Sequence, residues 1–121
     1  MSDPENKALE SSFSRAIQLH QMGQLQDAQR IYSSILSFLP SNEALLGLIG
    51  TVLTQQGRHG PAVAWLKRAL CVNAYHVMNR SNLGNALRDL DRYDEAIASL
   101  KIAVAIEPSQ GDAFLIDQAL K

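Results

Sequence analysis

Residues 82–97 read Asn82-Leu83-Gly84-Asn85-Ala86-Leu87-Arg88-Asp89-Leu90-Asp91-Arg92-Tyr93-Asp94-Glu95-Ala96-Ile97, and this stretch decides the fold. Leu83, Gly84, Leu87 and Leu90 put apolar or small residues at i, i+1, i+4 and i+7. After Asp91-Arg92 the stripe resumes with Tyr93, Ala96, Ile97, Leu100 and Val104 at i, i+3, i+4, i+7 and i+11. Both are helical periods facing a core. The connection between them is too short for anything but an antiparallel helix pair.

The same pair recurs upstream at a step of 34 residues. Gly23, Gly57 and Asp91 keep that step, as do Ala28, Ala62 and Ala96. So do Ala16, Gly50 and Gly84, then Leu19, Leu53 and Leu87. Tyr32, Leu66 and Leu100 follow it as well. A fixed period of this size marks stacked repeats. The pattern predicts helices at about 4–22, 25–38, 42–56, 59–72, 76–90, 93–106 and 110–120, with ends good to roughly 2–4 residues. Asp3 is the expected cap of the first helix, with Pro4 in its first turn. Gly23 and Gly57 supply the left-handed residue that ends a helix, and Asp91 must adopt that conformation in the third unit. Small residues at Gly50, Gly84, Ala62 and Ala96 let two helix backbones approach closely.

Composition narrows the function. The chain has 121 residues, 46% hydrophobic and 19% charged, enough apolar material for a packed core. Formal net charge is −1, and no segment is basic enough for nucleic acid or an anionic membrane. The longest apolar run, Ala44 to Leu53, is about half a membrane crossing. The start carries no signal-like apolar region, and the lone Cys71 asks for no oxidising compartment, so the cytoplasm is the expected location. Cys71 itself reads as a small buried or half-buried apolar residue rather than a reactive thiol. His20, His59 and His76 have no second ligand at i+3 or i+4, so no metal or other cofactor is expected. No phosphate loop, nucleophile elbow or paired-carboxylate pattern is present, so no catalysis is expected. Trp65 and Tyr93 read as core or outer-face packing, His59 as a helix start and His20 as solvated surface.

With those residues in view, the chain resembles the tetratricopeptide repeat family in its bacterial form, over about residues 9–110. The third unit carries the resemblance best; the first departs from it, with Arg15-Ala16 where the family has Leu-Gly. The resemblance implies an all-α, right-handed superhelical solenoid forming one domain over 1–121. Its repeats fall at about 9–42, 43–76 and 77–110, with a capping helix at about 111–121 in which Phe114 packs on the third hairpin. It also implies a peptide- or protein-binding groove lined by the first helices. Phe13, Ile17, His20 and Gln21 come from the first unit, and Leu48, Thr51 and Gln55 from the second, beside Gly47 and Thr54. The third unit adds Met78, Asn82, Asn85, Arg88 and Asp89, beside Ser81. Asn82 and Asn85 can grip a peptide backbone or simply bridge neighbouring helices.

Two subfamily patterns bear on the groove. Chaperone-binding relatives clamp a carboxylate with Lys, Asn and Arg; here Phe13, Ile17, Leu48, Met78 and Asn82 stand at those positions, so no clamp cation is present. The asparagine ladder of sugar-transferring relatives survives only at Asn82, since Ser14 and Leu48 hold the other rungs. The phrasing around His20, Asn82 and Arg92 nevertheless resembles repeat modules that precede a glycosyltransferase-type domain. The leading expectation is a non-catalytic protein-interaction scaffold. The alternatives are a substrate-positioning module of a larger enzyme and a homo-oligomer assembled through the first hairpin and the final helix.

Overall fold

The computed structural model describes residues 4–106, and every regular element among them is a helix. They are α1 (Pro4–Gln21), α2 (Leu25–Leu36), α3 (Glu43–Gln55), α4 (His59–Val72), α5 (Val77–Asp89) and α6 (Tyr93–Ile106). Observed ends lie within two residues of the expected ones, the largest difference being α2, which stops at Leu36. The Asp3 cap and the capping helix at 111–121 lie outside the described residues.

The three hairpin turns are built alike. Gly23, Gly57 and Asp91 have φ of 81°, 77° and 62°, the left-handed conformation that reverses a chain at a helix end. One residue later, the backbone N–H groups of Gln24, Arg58 and Arg92 donate to the carbonyls of Leu19, Leu53 and Leu87 at 2.8, 2.8 and 2.9 Å. These bonds satisfy carbonyls that a helix end otherwise leaves orphaned. The links between hairpins are capped instead by side chains. Asn42 Oδ1 accepts from the Leu45 amide at 3.0 Å, and His76 Nδ1 accepts from the Asn79 amide at 3.1 Å.

Inside each hairpin a small residue faces a large one. A Cβ on Gly50 would lie 2.7 Å from Leu66 Cγ, and one on Gly84 would lie 2.6 Å from Leu100 Cγ. The first hairpin uses Ala16 and Tyr32 at the same places, both fully buried. Hairpins then stack, α2 on α3 and α4 on α5, to bury two apolar clusters, one from α1 to α4 and one from α4 to α6, and hence make an α-solenoid.

The stacking explains why the first unit departs from the repeat. Leu45, Ile49 and Val52 of α3 are buried, as are Asn79, Leu83 and Ala86 of α5. One step earlier, Ser11, Arg15 and Gln18 of α1 are exposed. No described hairpin precedes α1, so polar residues there cost no packing.

Cys71 is exposed, not half-buried as its neighbour Leu70 suggested, because it lies one position past the α4 face that packs inward. Trp65 packs against the core, with the Arg68 guanidinium 4.5 Å from its ring centroid. Tyr93 does not belong to the core; it is half exposed, and its hydroxyl donates to Asp91 Oδ1 at 2.7 Å.

Candidate interaction groove

The first helices α1, α3 and α5 are tied to one another by polar pairs. Thr51 Oγ1 donates to the Gly47 carbonyl at 2.9 Å and accepts from Asn82 Nδ2 at 3.0 Å, joining α3 to α5. His20 Nε2 lies 2.6 Å from Gln55 Oε1, joining α1 to α3. Since that amide oxygen only accepts, His20 carries its proton on Nε2, and its Nδ1 accepts from the Tyr32 hydroxyl at 3.1 Å. A solvated His20 was expected from its position in the sequence. It is instead half-buried with both ring nitrogens engaged.

Tyr32 was not among the groove residues read from the sequence, yet it holds two of them. Its ring meets Phe13 edge-on at 6.0 Å and His20 at 6.0 Å. The signal was available: units two and three place leucine at this core position, and a buried tyrosine hydroxyl needs a partner. Burial also pushes the Tyr32 hydroxyl above its ordinary pKa, so it stays a neutral donor.

Asn79 is the other residue that periodicity did not single out. It is 3% exposed and packs against Gly47, where even a methyl group would crowd its amide. Its Nδ2 and the Asn85 Oδ1 are buried without a hydrogen-bond partner. At the far end of α5, Asp89 lies 3.8 Å from Arg88 Nε and 3.7 Å from His59 Nε2. His59 does begin α4, and in addition it reaches the following hairpin.

Of the groove residues read from the sequence, Gln21, Gln55, Met78 and Asp89 are exposed, Met78 by 63%. Phe13, Ile17, Leu48, Thr51, Asn82, Asn85 and Arg88 are half-buried. Phe13, Ile17 and Leu48 also pack against the core, so they serve the fold as well as a surface. Among the described residues no group of three or more His, Cys, Asp or Glu could hold a metal ion, and no helix is long and apolar enough to cross a membrane.

Stacked helix hairpins presenting a row of first-helix side chains define a helical-repeat scaffold. The chain carries a tetratricopeptide repeat: the family profile of that description matches residues 80–110, and the solved structures the chain resembles share the fold. The first TPR of Spaghetti (RPAP3), solved with the HSP90 peptide SRMEEVD, superposes with a TM-score of 0.88 at 15% identity. That match covers 93% of this chain and 90% of the other. A mutant O-GlcNAc transferase of Thermobaculum terrenum matches with a TM-score of 0.89 at 24% identity, covering 99% of this chain and 23% of that one. By sequence, the mouse (Mus musculus) protein O-mannosyl-transferase TMTC1 is 31% identical over 98 residues, which is 78% of this chain and 10% of the relative. The chain thus spans about a tenth of the curated relative it matches.

Proposed function

We propose that the chain is a non-catalytic interaction scaffold, one domain of three repeats, that holds a peptide or protein segment along α1, α3 and α5. The observation that carries this reading is Met78. A methionine 63% exposed on a first helix, beside Ser81 and Asn82, is an adaptable apolar contact left open to solvent. Polar capacity lies close by, since Asn82 keeps its oxygen and Gln55 its amide nitrogen outside the pairs they form. The floor is near-neutral and has none of the cations of a carboxylate clamp, so recognition rests on apolar contact and backbone hydrogen bonding.

The test is a pull-down with two variants of the whole chain. Met78→Glu places a charge against an apolar ligand face and is expected to weaken capture about tenfold or more. Arg58→Glu, in the turn between α3 and α4, is expected to leave it unchanged. Ile17 is a poor test position because it packs on the core. Loss of the partner by the turn variant alone would place binding elsewhere.

A second reading is favoured by one specific observation. Two similar proteins are by name sugar transferases, and this chain spans 10% of one and 23% of the other. On that reading the repeats position a substrate for a catalytic part encoded beyond Lys121, and sequencing the native transcript past that codon decides between the two. Self-assembly through the first hairpin is the weakest reading, because Ser11, Arg15 and Gln18 give the leading face of α1 a polar surface.

A further inference from the structure

The first hairpin departs from the other two at a second place, the seam between α1 and α2. Ser12 and Ile31 stand there where the second hairpin has Leu46 and Trp65 and the third has Arg80 and Ser99. The second seam is filled: Leu46 is 2% exposed, and Arg68 covers the Trp65 ring at 4.5 Å. The third is closed by Ser99 Oγ, which donates to the Arg80 carbonyl at 2.8 Å. In the first, the residue equivalent to Arg68 is Ser34, too short to cover Ile31. What remains is an open cleft of about 700 Å³, floored by Leu9, Ile31 and Ile35 and walled by Phe38, which is 68% exposed. Its size and apolar floor are those of a ligand site, and none of the groove residues lines it.

Its rim carries one charge of each sign. Glu5 comes from α1 and Arg30 from α2, and neither is in an ion pair with another described residue. Because the two helices run antiparallel, Arg30 lies toward the hairpin turn and Glu5 toward the opposite end. Between Glu5 and Ser12 the α1 wall is about 10 Å long, two helical turns.

We propose that this cleft is a second docking site whose occupant is a short amphipathic helix of another protein. Two turns accommodate anchors at i, i+3 or i+4, and i+7. The charges orient that helix. Its positive N-terminal end, with a basic flank, lies at Glu5, and its negative C-terminal end, with an acidic flank, lies at Arg30. It therefore runs antiparallel to α2.

The experiment uses the whole chain and two fluorescent helical peptides, read by anisotropy. Both carry leucine at i, i+4 and i+7; one has lysines before and glutamates after the leucines, and its twin has these reversed. The first is expected to bind about tenfold more tightly than the twin at low salt, with the preference shrinking as salt screens the rim. Ser34→Arg, at an exposed position, imports the cover that the second hairpin has and is expected to abolish binding; so is Ser12→Trp, with circular dichroism confirming that each variant folds. Glu5→Arg with Arg30→Glu is expected to reverse the preference, and Met78→Glu to leave it intact. No binding of either peptide, equal binding of both, or binding that survives Ser34→Arg overturns the proposal. So does a chain that sediments as a dimer and becomes monomeric with Ser34→Arg, since the cleft's occupant is then a second copy.

Discussion

Gly50→Ala sets helix propensity against packing in one methyl group. In the interior of α3 alanine is favoured over glycine by about 1 kcal/mol. The new Cβ, however, would lie 2.7 Å from Leu66 Cγ, 2.8 Å from Leu66 Cδ2 and 3.5 Å from the Ala62 carbonyl oxygen. Carbon atoms prefer about 3.5–4.0 Å, and Leu66 is fully buried, so it can retreat only by displacing its neighbours. The α3 and α4 backbones must part by roughly 1 Å, an overpacking strain of about 1–3 kcal/mol. Net destabilisation of about 1 kcal/mol follows, a fall in melting temperature of about 3–6 °C. Gly60→Ala is the control, since nothing lies within 4 Å of its added methyl and its φ is not positive. It is expected to stabilise by about 0.5 kcal/mol. In a Leu66→Ala background, itself costing about 2–5 kcal/mol, the Gly50 methyl gains room and becomes neutral or favourable. The assay is urea and thermal unfolding of the four variants followed by circular dichroism. A Gly50→Ala protein as stable as Gly60→Ala would refute the close-approach reasoning.

Asp91→Gly relieves the left-handed backbone, φ 62°, at a cost of one exposed hydrogen bond from Tyr93, and is expected to stabilise by about 0.5 kcal/mol in the same unfolding assay. It also removes the acceptor that holds the Tyr93 hydroxyl above its ordinary pKa, so tyrosinate absorbance should show that group titrating earlier. The buried Tyr32 hydroxyl titrates above its ordinary value of 10.0 because burial disfavours the phenolate. The folded state therefore holds this proton more tightly than the unfolded chain. Its contribution is intact below about pH 10 and is lost as pH rises through the folded value, so Tyr32→Phe should flatten the alkaline fall in stability.

Much of the fold was legible because packing demands at fixed places repeat along the chain. Gly50 and Gly84 must be small for Leu66 and Leu100 to fit, and that requirement shows directly as columns 34 residues apart. Helix ends were readable where backbone geometry restricts the choice, as at Gly23, Gly57 and Asp91. The groove was less legible, since the repeat says which helix face a residue takes and not what its side chain finds there. Phe13, Ile17 and Leu48 lie on that face but lean into the core. His20 reads as solvated until Tyr32 and Gln55, 12 and 35 residues away, are seen beside it. The buried amide of Asn79 fits because Gly47 lacks a side chain, a contact between units that single-residue periodicity does not encode. Cys71 failed for a related reason: adjacency to Leu70 on a helix means a rotation of about 100° away from the face that packs.

Photo-crosslinking from defined positions tests most directly whether recognition runs along the first helices. A benzophenone side chain replaces Met78 or Gln55 in one pair of proteins and Arg58 or Tyr93 in another, and adducts with the captured partner are quantified by mass spectrometry. Abundant adducts are expected from Met78 and Gln55 and few from Arg58 and Tyr93. Adducts concentrated at Arg58 and Tyr93, with none from Met78 and Gln55, would contradict recognition along the first helices.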